Sequence, residues 1–556
     1  MSLRNLCAVL FALGFFTQSS LKPGKQASPQ QAPAAQNLHV SGTVVDGLTG
    51  EPLSQAHVFL TAQAVRDSEQ FVMTGEDGHF AFENLAPGHY VLFARHKGYL
   101  HQLYKQHAQF STGIIVGPDL DTEHLRFDLR PTASISGQVV DERNEPVRNA
   151  RAILFHQTIR FGRHTAWRER EENTDDRGHY HFGYLLPGVY FVAVSAQPWY
   201  AQRRTHQRIQ LTDSSGQTTY QEITNVEPEL DVVYPVSFYS HALDLAEAVP
   251  ITLHAGESEM ADFSLQPVPA LHVLIRSATS SESESLWAQV SQTLGDGSKM
   301  QVQASTQQIA PGLFEISGLI PGKLRLGLVS SKDGQSNTRW NNIELAGDTD
   351  INASETAASA SVSGAVKFDD NSKRSSPISL RLSSIGVNEE YLLQADANGE
   401  FSLKASIPPG TYDLSVGQPP AAAVRALSAT GAKASGHTLE IGAGQDVKLS
   451  VVLSRGTGKI SGVALKGAKP MDGVMVVLVP EDPEHNLELF RRDQSDSDGS
   501  FNLPAVHPGK YTVVAMENGW ELDWFTPGVI QKYLAGGKMV QVSANSTQTV
   551  EVPVQP

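Results

Sequence analysis

Histidines, aspartates and aromatic rings are the side chains in this sequence whose spacing could do chemistry. Of the 19 histidines, 13 lie between His39 and His206. His179 and His181 stand two apart on an alternating stretch, so they share a strand face, as two metal ligands would. His79 occupies the same turn position as His179, where Glu400 and Ser500 stand in other copies. That tolerance points to solvent exposure rather than ligation. The stretch from Asp493 to Gly499 (DQSDSDG) has the look of a calcium loop. An EF-hand in this register needs acids at 494, 496 and 498, glycine at 499 and glutamate at 505, but 494 is Gln and 505 is Ala. A hairpin turn at Asp498-Gly499 is the simpler reading. No His-Glu-x-x-His helix motif, Gly-x-Ser-x-Gly elbow or Walker loop occurs. Gly456-Thr457-Gly458 lacks the third glycine of a dinucleotide loop and reads as a linker. These observations give no catalytic residue, no metal ligand and no cofactor.

Aromatic rings recur after a shared Pro-Gly turn in three places. They are Tyr99 and Tyr104, then Trp199 and Tyr200, then Trp520, Trp524 and Phe525. Flat rings on loops at the end of a sandwich could stack on sugars or grip a protein partner. The other reading is that they cap the sandwich or fill the joint with the next module. Both stay open on the sequence alone. Tyr234, Phe238 and Tyr239 pose the same alternative.

The elements that would position these rings are repeated. One copy has VSGTVVD (Val40–Asp46) and then EDGHFAFENLAPGHYVLFA (Glu76–Ala94). Others have ISGQVVD (Ile135–Asp141) with DRGHYHFGYLLPGVYFVAV (Asp176–Val194), VSGAVKF (Val362–Phe368) with ANGEFSLKASIPPGTYDLSV (Ala397–Val416), and ISGVALK (Ile460–Lys466) with SDGSFNLPAVHPGKYTVVA (Ser497–Ala515). From Gly42 to Gly88, Gly137 to Gly188, Gly364 to Gly410 and Gly462 to Gly509 the intervals are 46, 51, 46 and 47 residues. A fifth copy keeps PGLFEISGLIPGKLRLGLV (Pro311–Val329) but has LHVLI (Leu271–Ile275) where the Ser-Gly strand should be. Self-similarity at a fixed spacing is the mark of a modular array.

Each copy has alternating strands, as in FAF, YHF, FSL and FNL. Asp-Gly, Arg-Gly or Asn-Gly before them supplies the positive φ of a hairpin turn. Pro-Gly is expected to form a type II turn, with glycine taking the positive φ. Tyr90, Tyr190, Tyr412 and Tyr511, two residues later, are expected to point inward. Short strands without a long helical period indicate an all-β array of β-sandwiches.

The composition agrees. In 556 residues, 46 glycines and 30 prolines accompany 40% hydrophobic and only 18% charged residues, which excludes collagen, ordinary disorder and long coiled coils. A net charge of −16 makes nucleic acid and anionic lipid poor partners. Arg4, the apolar run LCAVLFALGFF (Leu6–Phe16) and the polar residues Thr17–Ser20 make the three-part layout of a signal peptide, with cleavage expected after Ser19. Eleven apolar residues are too few for a stable anchor. The single cysteine, Cys7, lies in that run, so the exported chain is expected to carry no thiol, and no stable membrane insertion after cleavage. Residues 20–37 read as a flexible Pro/Ala/Gln tether. The expected modules are 38–131, 132–268 with an extension, 269–355 in degenerate form, 356–455 and 456–556.

The motifs [IV]-S-G-x-V, GEPLSQAHVFL (Gly50–Leu60), NEPVRNARAIL (Asn144–Leu154), GAKPMDGVMVVLVP (Gly467–Pro480) and D-G-x-[FY]-x-[FL]…P-G-x-Y resemble the carboxypeptidase regulatory-like domain. The resemblance covers most of residues 38–556 and is weakest in the third copy. It implies a transthyretin-like sandwich of about seven strands, related to carbohydrate-binding-like folds and to adhesin repeats. The peptidase that accompanies this domain in its namesakes is absent from the sequence. Some adhesin repeats carry Lys–Asn cross-links beside a buried acid. Glu83 fits that acid's strand, but Gly183, Lys404 and Pro504 replace it elsewhere, so no cross-link is expected. The resemblance implies an exported, non-catalytic binding or structural scaffold at the cell surface or in the periplasm, with a polysaccharide or an envelope protein as partner. A carbohydrate-binding protein using the aromatic loops is the alternative.

Overall fold

The computed structural model describes residues 38–556 apart from 64–67, 161–162, 203–205, 213–214, 216, 225–226, 277–284, 294–298, 311, 333–334, 354–356, 359, 371–376, 386–388, 420–421, 525 and 527. The expected signal peptide and tether, Cys7 and Phe525 lie outside the described residues. The described chain is built almost wholly of strands. Five successive stretches each enclose a separate apolar core. The first four are built on separate sheets, and in the fifth the two layers join through the pairing of Ala515 and Met516 with Val554 and Gln555 into one eight-stranded sheet. The protein is therefore a tandem array of β-sandwiches, here called modules 1 to 5.

One pairing rule recurs in all five. The first strand of a module lies between an antiparallel neighbour and the module's last strand, which runs parallel to it. In module 1, Leu38–Asp46 pairs with His79–Leu85 and with Leu125–Leu129. In module 2, Ala133–Val140 pairs with His179–Leu185, then with Ser258–Met260 and Phe263–Ser264. Leu271–Arg276, Ala360–Phe368 and Gly458–Lys466 repeat this in modules 3, 4 and 5. The extension of module 2 forms a hairpin of His206–Thr212 with Thr218–Thr224. It then returns to its own sandwich, adding Ser237–Phe238 and Ile251–Leu253 to the Gly188–Ser195 strand.

The parallel pairing explains the Ser-Gly motif. A Cβ on Gly42, Gly137, Gly364 or Gly462 would lie 2.1, 2.0, 2.3 or 2.1 Å from the carbonyl oxygen of Leu125, Ala261, Leu449 or Val550. No side chain fits between these strands, so the motif is a close-approach requirement and not a turn signal. In the degenerate copy, Val273 and its neighbours pair at the same place without it.

The Asp-Gly hairpin expectation holds: Gly78, Gly178, Gly399 and Gly499 all have positive φ. The type II turn at Pro-Gly does not. Gly88, Gly188, Gly410 and Gly509 lack positive φ and open the next strand. In modules 1, 2 and 5 the left-handed residue comes earlier, at Asn84, Tyr184 and Ala505, where the register slips by a bulge. The tyrosine after the turn anchors it to the core. Tyr90, Tyr190, Tyr412 and Tyr511 are buried, and each hydroxyl donates to the carbonyl four residues back, at Ala86, Leu186, Pro408 and His507 (2.9, 2.8, 2.6 and 2.9 Å). A Cβ on Gly509 would crowd the Tyr511 ring at 3.3 Å, and one on Gly188 would lie 2.6 Å from His156 Nε2.

Candidate functional site

The six candidate rings do not form one surface. Tyr99 is half-buried, and its hydroxyl donates to Asp46 Oδ2 at 2.6 Å. Burial together with Asp46 pushes that phenol up to about 12. Tyr104 is only 5% exposed and meets the core ring Phe127 edge-on at 5.5 Å. Trp524 is 4% exposed and packs on Phe490, with the Arg492 guanidinium 5.0 Å from its ring centroid. Trp520 is half-buried, donates from Nε1 to the Gly473 carbonyl at 3.1 Å, and lies parallel to His107 at 4.8 Å and 3°. Tyr200 donates to Glu142 Oε1 at 2.6 Å, and Tyr234 donates to Glu142 Oε2 at 2.8 Å. Burial works against the charge of Glu142, but these hydroxyls and a backbone bond outweigh it and hold its pKa low. Trp199 alone of the six is largely in solvent, at 80% exposure. It rests edge-on against the pinned Tyr200 ring at 5.8 Å. The exposed His179 and His181 share a strand face, as their spacing predicts.

The Trp520–His107 stack joins module 5 to module 1. Around it runs a polar seam between residues almost four hundred positions apart. Gln494 donates to the Lys105 carbonyl and to Thr112 Oγ1 at 2.7 and 2.8 Å. Gly113 N donates to Asp496 Oδ1 at 2.9 Å, and Ile115 N to Ser497 Oγ at 2.9 Å. Ser497 N returns a bond to the Gly113 carbonyl at 2.9 Å. Strand Ile114–Val116 thus has its outer edge capped by turn residues of module 5. Lys105 pairs with Asp472 at 2.5 Å and His89 with Asp496 at 3.4 Å. The hydrogen bond to Asp496 raises the pKa of His89 against the opposing effect of burial. Burial lowers that of His107. Module 2 reaches module 5 as well: His164 Nδ1 lies 2.6 Å from Asp523 Oδ1, and Ile159 packs on the module 5 cluster. The acidic stretch Asp493–Asp498 therefore faces module 1. Sequence spacing showed its turn but not that neighbour.

The other joints also gather charge. His272, 3% exposed, lies between Asp231 Oδ2 (2.8 Å) and Glu315 Oε1 (3.0 Å). Burial disfavours its charge, yet the two carboxylates prevail and raise its pKa. Between modules 4 and 5, burial and Glu488 raise the pKa of Asp413 far above the carboxylate range. Burial, with Arg491 and His437 nearby, pushes His507 down to about 3. Among the described residues, no group of three or more His, Cys, Asp or Glu side chains could hold a metal ion. Among the described residues, no helix is long and apolar enough to cross a membrane.

Fold and joints define a modular β-sandwich array whose joints carry ion pairs and buried charged groups. Residues 39–123, within module 1, match the carboxypeptidase regulatory-like domain. No curated protein matches the chain. Among solved structures, the chain is similar to a streptococcal ancillary pilin, at 13% identity over 52% of this chain and 99% of that one (TM-score 0.19). It is also similar to the minor pilin GBS52 of Streptococcus agalactiae, at 12% identity over 41% and 97% (TM-score 0.19). A third is the Bacillus anthracis TIE protein, at 10% identity over 96% and 76% (TM-score 0.16). At such scores the likeness says nothing about the arrangement or role of this chain.

Proposed function

We propose that the protein is an exported, non-catalytic scaffold of the cell envelope, facing the periplasm or the cell exterior. Its five modules span 38–131, 132–268, 269–355, 356–455 and 456–556, behind a signal peptide and a tether. One observation carries this reading. Titratable groups at the joints tie modules together, as where Asp231 of module 2 meets His272 of module 3, which also bonds Glu315. The partner is an envelope protein or polysaccharide. Fractionation of cells making the full chain tests the reading. Mature protein beginning near Ser20 in the exported fraction supports it, and uncleaved protein in the cytoplasm overturns it.

One observation favours the carbohydrate reading. Trp199 presents a flat ring to solvent, and its neighbour Tyr200 is pinned to Glu142. A pre-ordered ring loses little entropy on stacking against a sugar. A glycan array of the full chain beside its Trp199→Ala, Trp520→Ala and Trp524→Ala variants tests it. Binding lost in Trp199→Ala supports it; no binding to any glycan removes it.

A further inference from the structure

We propose that the faces module 1 and module 5 turn to each other are a docking interface for a second copy of this chain. The array closed on itself in one molecule can then open and join copies head to tail. This does not depend on the envelope reading.

Three observations lead there. The two faces are different surfaces, so contact between copies is heterologous and leaves a free face at each end for the next molecule. The faces are complementary in charge: Lys105 and His89 of module 1 meet Asp472 and Asp496 of module 5. The module 1 face is a strand edge. Ile114–Val116 ends one sheet of module 1. Its flanking backbone donors at Gly113 and Ile115 bond to Asp496 and Ser497 of module 5, and the Gly113 carbonyl accepts from Ser497 N. Once opened, such an edge presents unpaired backbone groups to another chain. The seam is also mostly polar, with an apolar contact confined to Trp520, His107 and Phe110. Interfaces of this kind open more readily than cores do. The contact His164–Asp523 belongs to the same closure, since it too ties module 5 to the N-terminal pair of modules. Within one chain, closure is favoured by an effective concentration of about a millimolar, so the wild-type protein is expected to stay monomeric in dilute solution.

Two complementary variants of the full chain test the proposal. Gly113→Val with His164→Ala damages only the module 1–2 face, because a Cβ on Gly113 would lie 1.8 Å from His89 Nε2 and 2.6 Å from Asp496 Oδ1. Asp496→Lys with Asp523→Lys damages only the module 5 face. Each variant alone has no intact pair of faces; mixed, they have one. Light scattering after size exclusion should show each alone as a monomer and the equimolar mixture as a 1:1 dimer, at concentrations at least tenfold below any at which wild type associates. Ile115→Cys with Ser497→Cys, on a Cys7→Ser background, should hold the oxidised chain monomeric at every concentration. A mixture that stays monomeric while both variants remain folded by circular dichroism overturns the proposal. So does a stapled chain that associates as wild type does. If Gly113→Val fails to fold, Gly113→Ala replaces it, since its methyl meets the same two atoms.

Discussion

Module 4 shows two kinds of interior side by side. Its core is apolar throughout, from Val362 and Phe401 to Tyr412 and Leu453, and the single phenol among them is satisfied by Pro408. One residue further along the same strand, Asp413 is also buried but faces Glu488 at the joint with module 5, and Glu488 in turn lies near His437 and accepts from Arg491 through its carbonyl. Alternation along a strand sends one side chain into the sandwich and the next into the neighbour. The core is held by area removed from water, which hardly responds to pH. The joint is held by charges whose worth depends on their protons. The modules should therefore resist what the joints cannot.

The largest effects should come from removing one partner on either side of this divide. Tyr412→Ala, in the core, should cost about 3–5 kcal/mol in the unfolding of module 4, measured by denaturant titration, with little change between pH 6 and 9. His272→Leu, at the joint of modules 2 and 3, leaves Asp231 and Glu315 without the cation between them and should cost a similar ~3–5 kcal/mol. That cost should depend on pH. The folded pKa of His272 is raised above its ordinary 6.5, so its stabilisation is complete below 6.5 and is lost as pH rises through the raised value. A His272→Leu penalty that stays constant to pH 9 would erase the distinction.

Smaller effects sharpen it. Tyr412→Phe removes one buried hydrogen bond and should cost about 1 kcal/mol, again without pH dependence. The seam should respond to pH in both directions. His89, raised above 6.5, supports closure when protonated and releases it as pH climbs through that raised value. His107, lowered below 6.5, stacks as the neutral ring and charges only as pH falls through its lowered value. The nearby carboxyl of Asp493, pushed up to about 6 by burial, favours acid as His89 does. Asp496 and Asp498 face His89, Arg130 faces His107, and Lys105 pairs with Asp472. Hydrogen exchange at Gly113 and Ile115 should be slowest near pH 6.5 after correction for intrinsic rates, and a monotonic profile would refute this. The smallest effect is expected at Trp199→Ala. It should change stability by no more than about 0.5 kcal/mol, because the ring packs on little besides Tyr200.

The sandwich fold was legible because its determinants are local and repeat. Alternating strands, glycines at the Asp-Gly turns and the tyrosine after Pro-Gly recur at fixed offsets, and each has one local reason. Gly42 and its counterparts were visible as a motif, but their reason lies about 80–120 residues away, in the carbonyls of the last strands. The Pro-Gly turn was misread because the backbone relieves itself earlier, at Asn84, Tyr184 and Ala505. The aromatic loops gave a mixed outcome. Trp520 and Trp199 carry the same sequence signal, and only the placement of His107 makes one a joint and leaves the other in solvent. The seam left no periodic trace, since Gln494, Asp496 and Ser497 are polar turn residues like any others. His272, amid the apolar LHVLI strand, and Glu315, amid FEISGL, were the visible signs of a charged joint.

Small-angle scattering of the dilute full chain, wild type against Gly113→Val with His164→Ala, tests closure of the array most directly. The variant should keep the monomer mass and the strand content while its radius of gyration and maximum dimension increase. Superimposable scattering curves from two folded monomers would contradict a closed array held by modules 1 and 5.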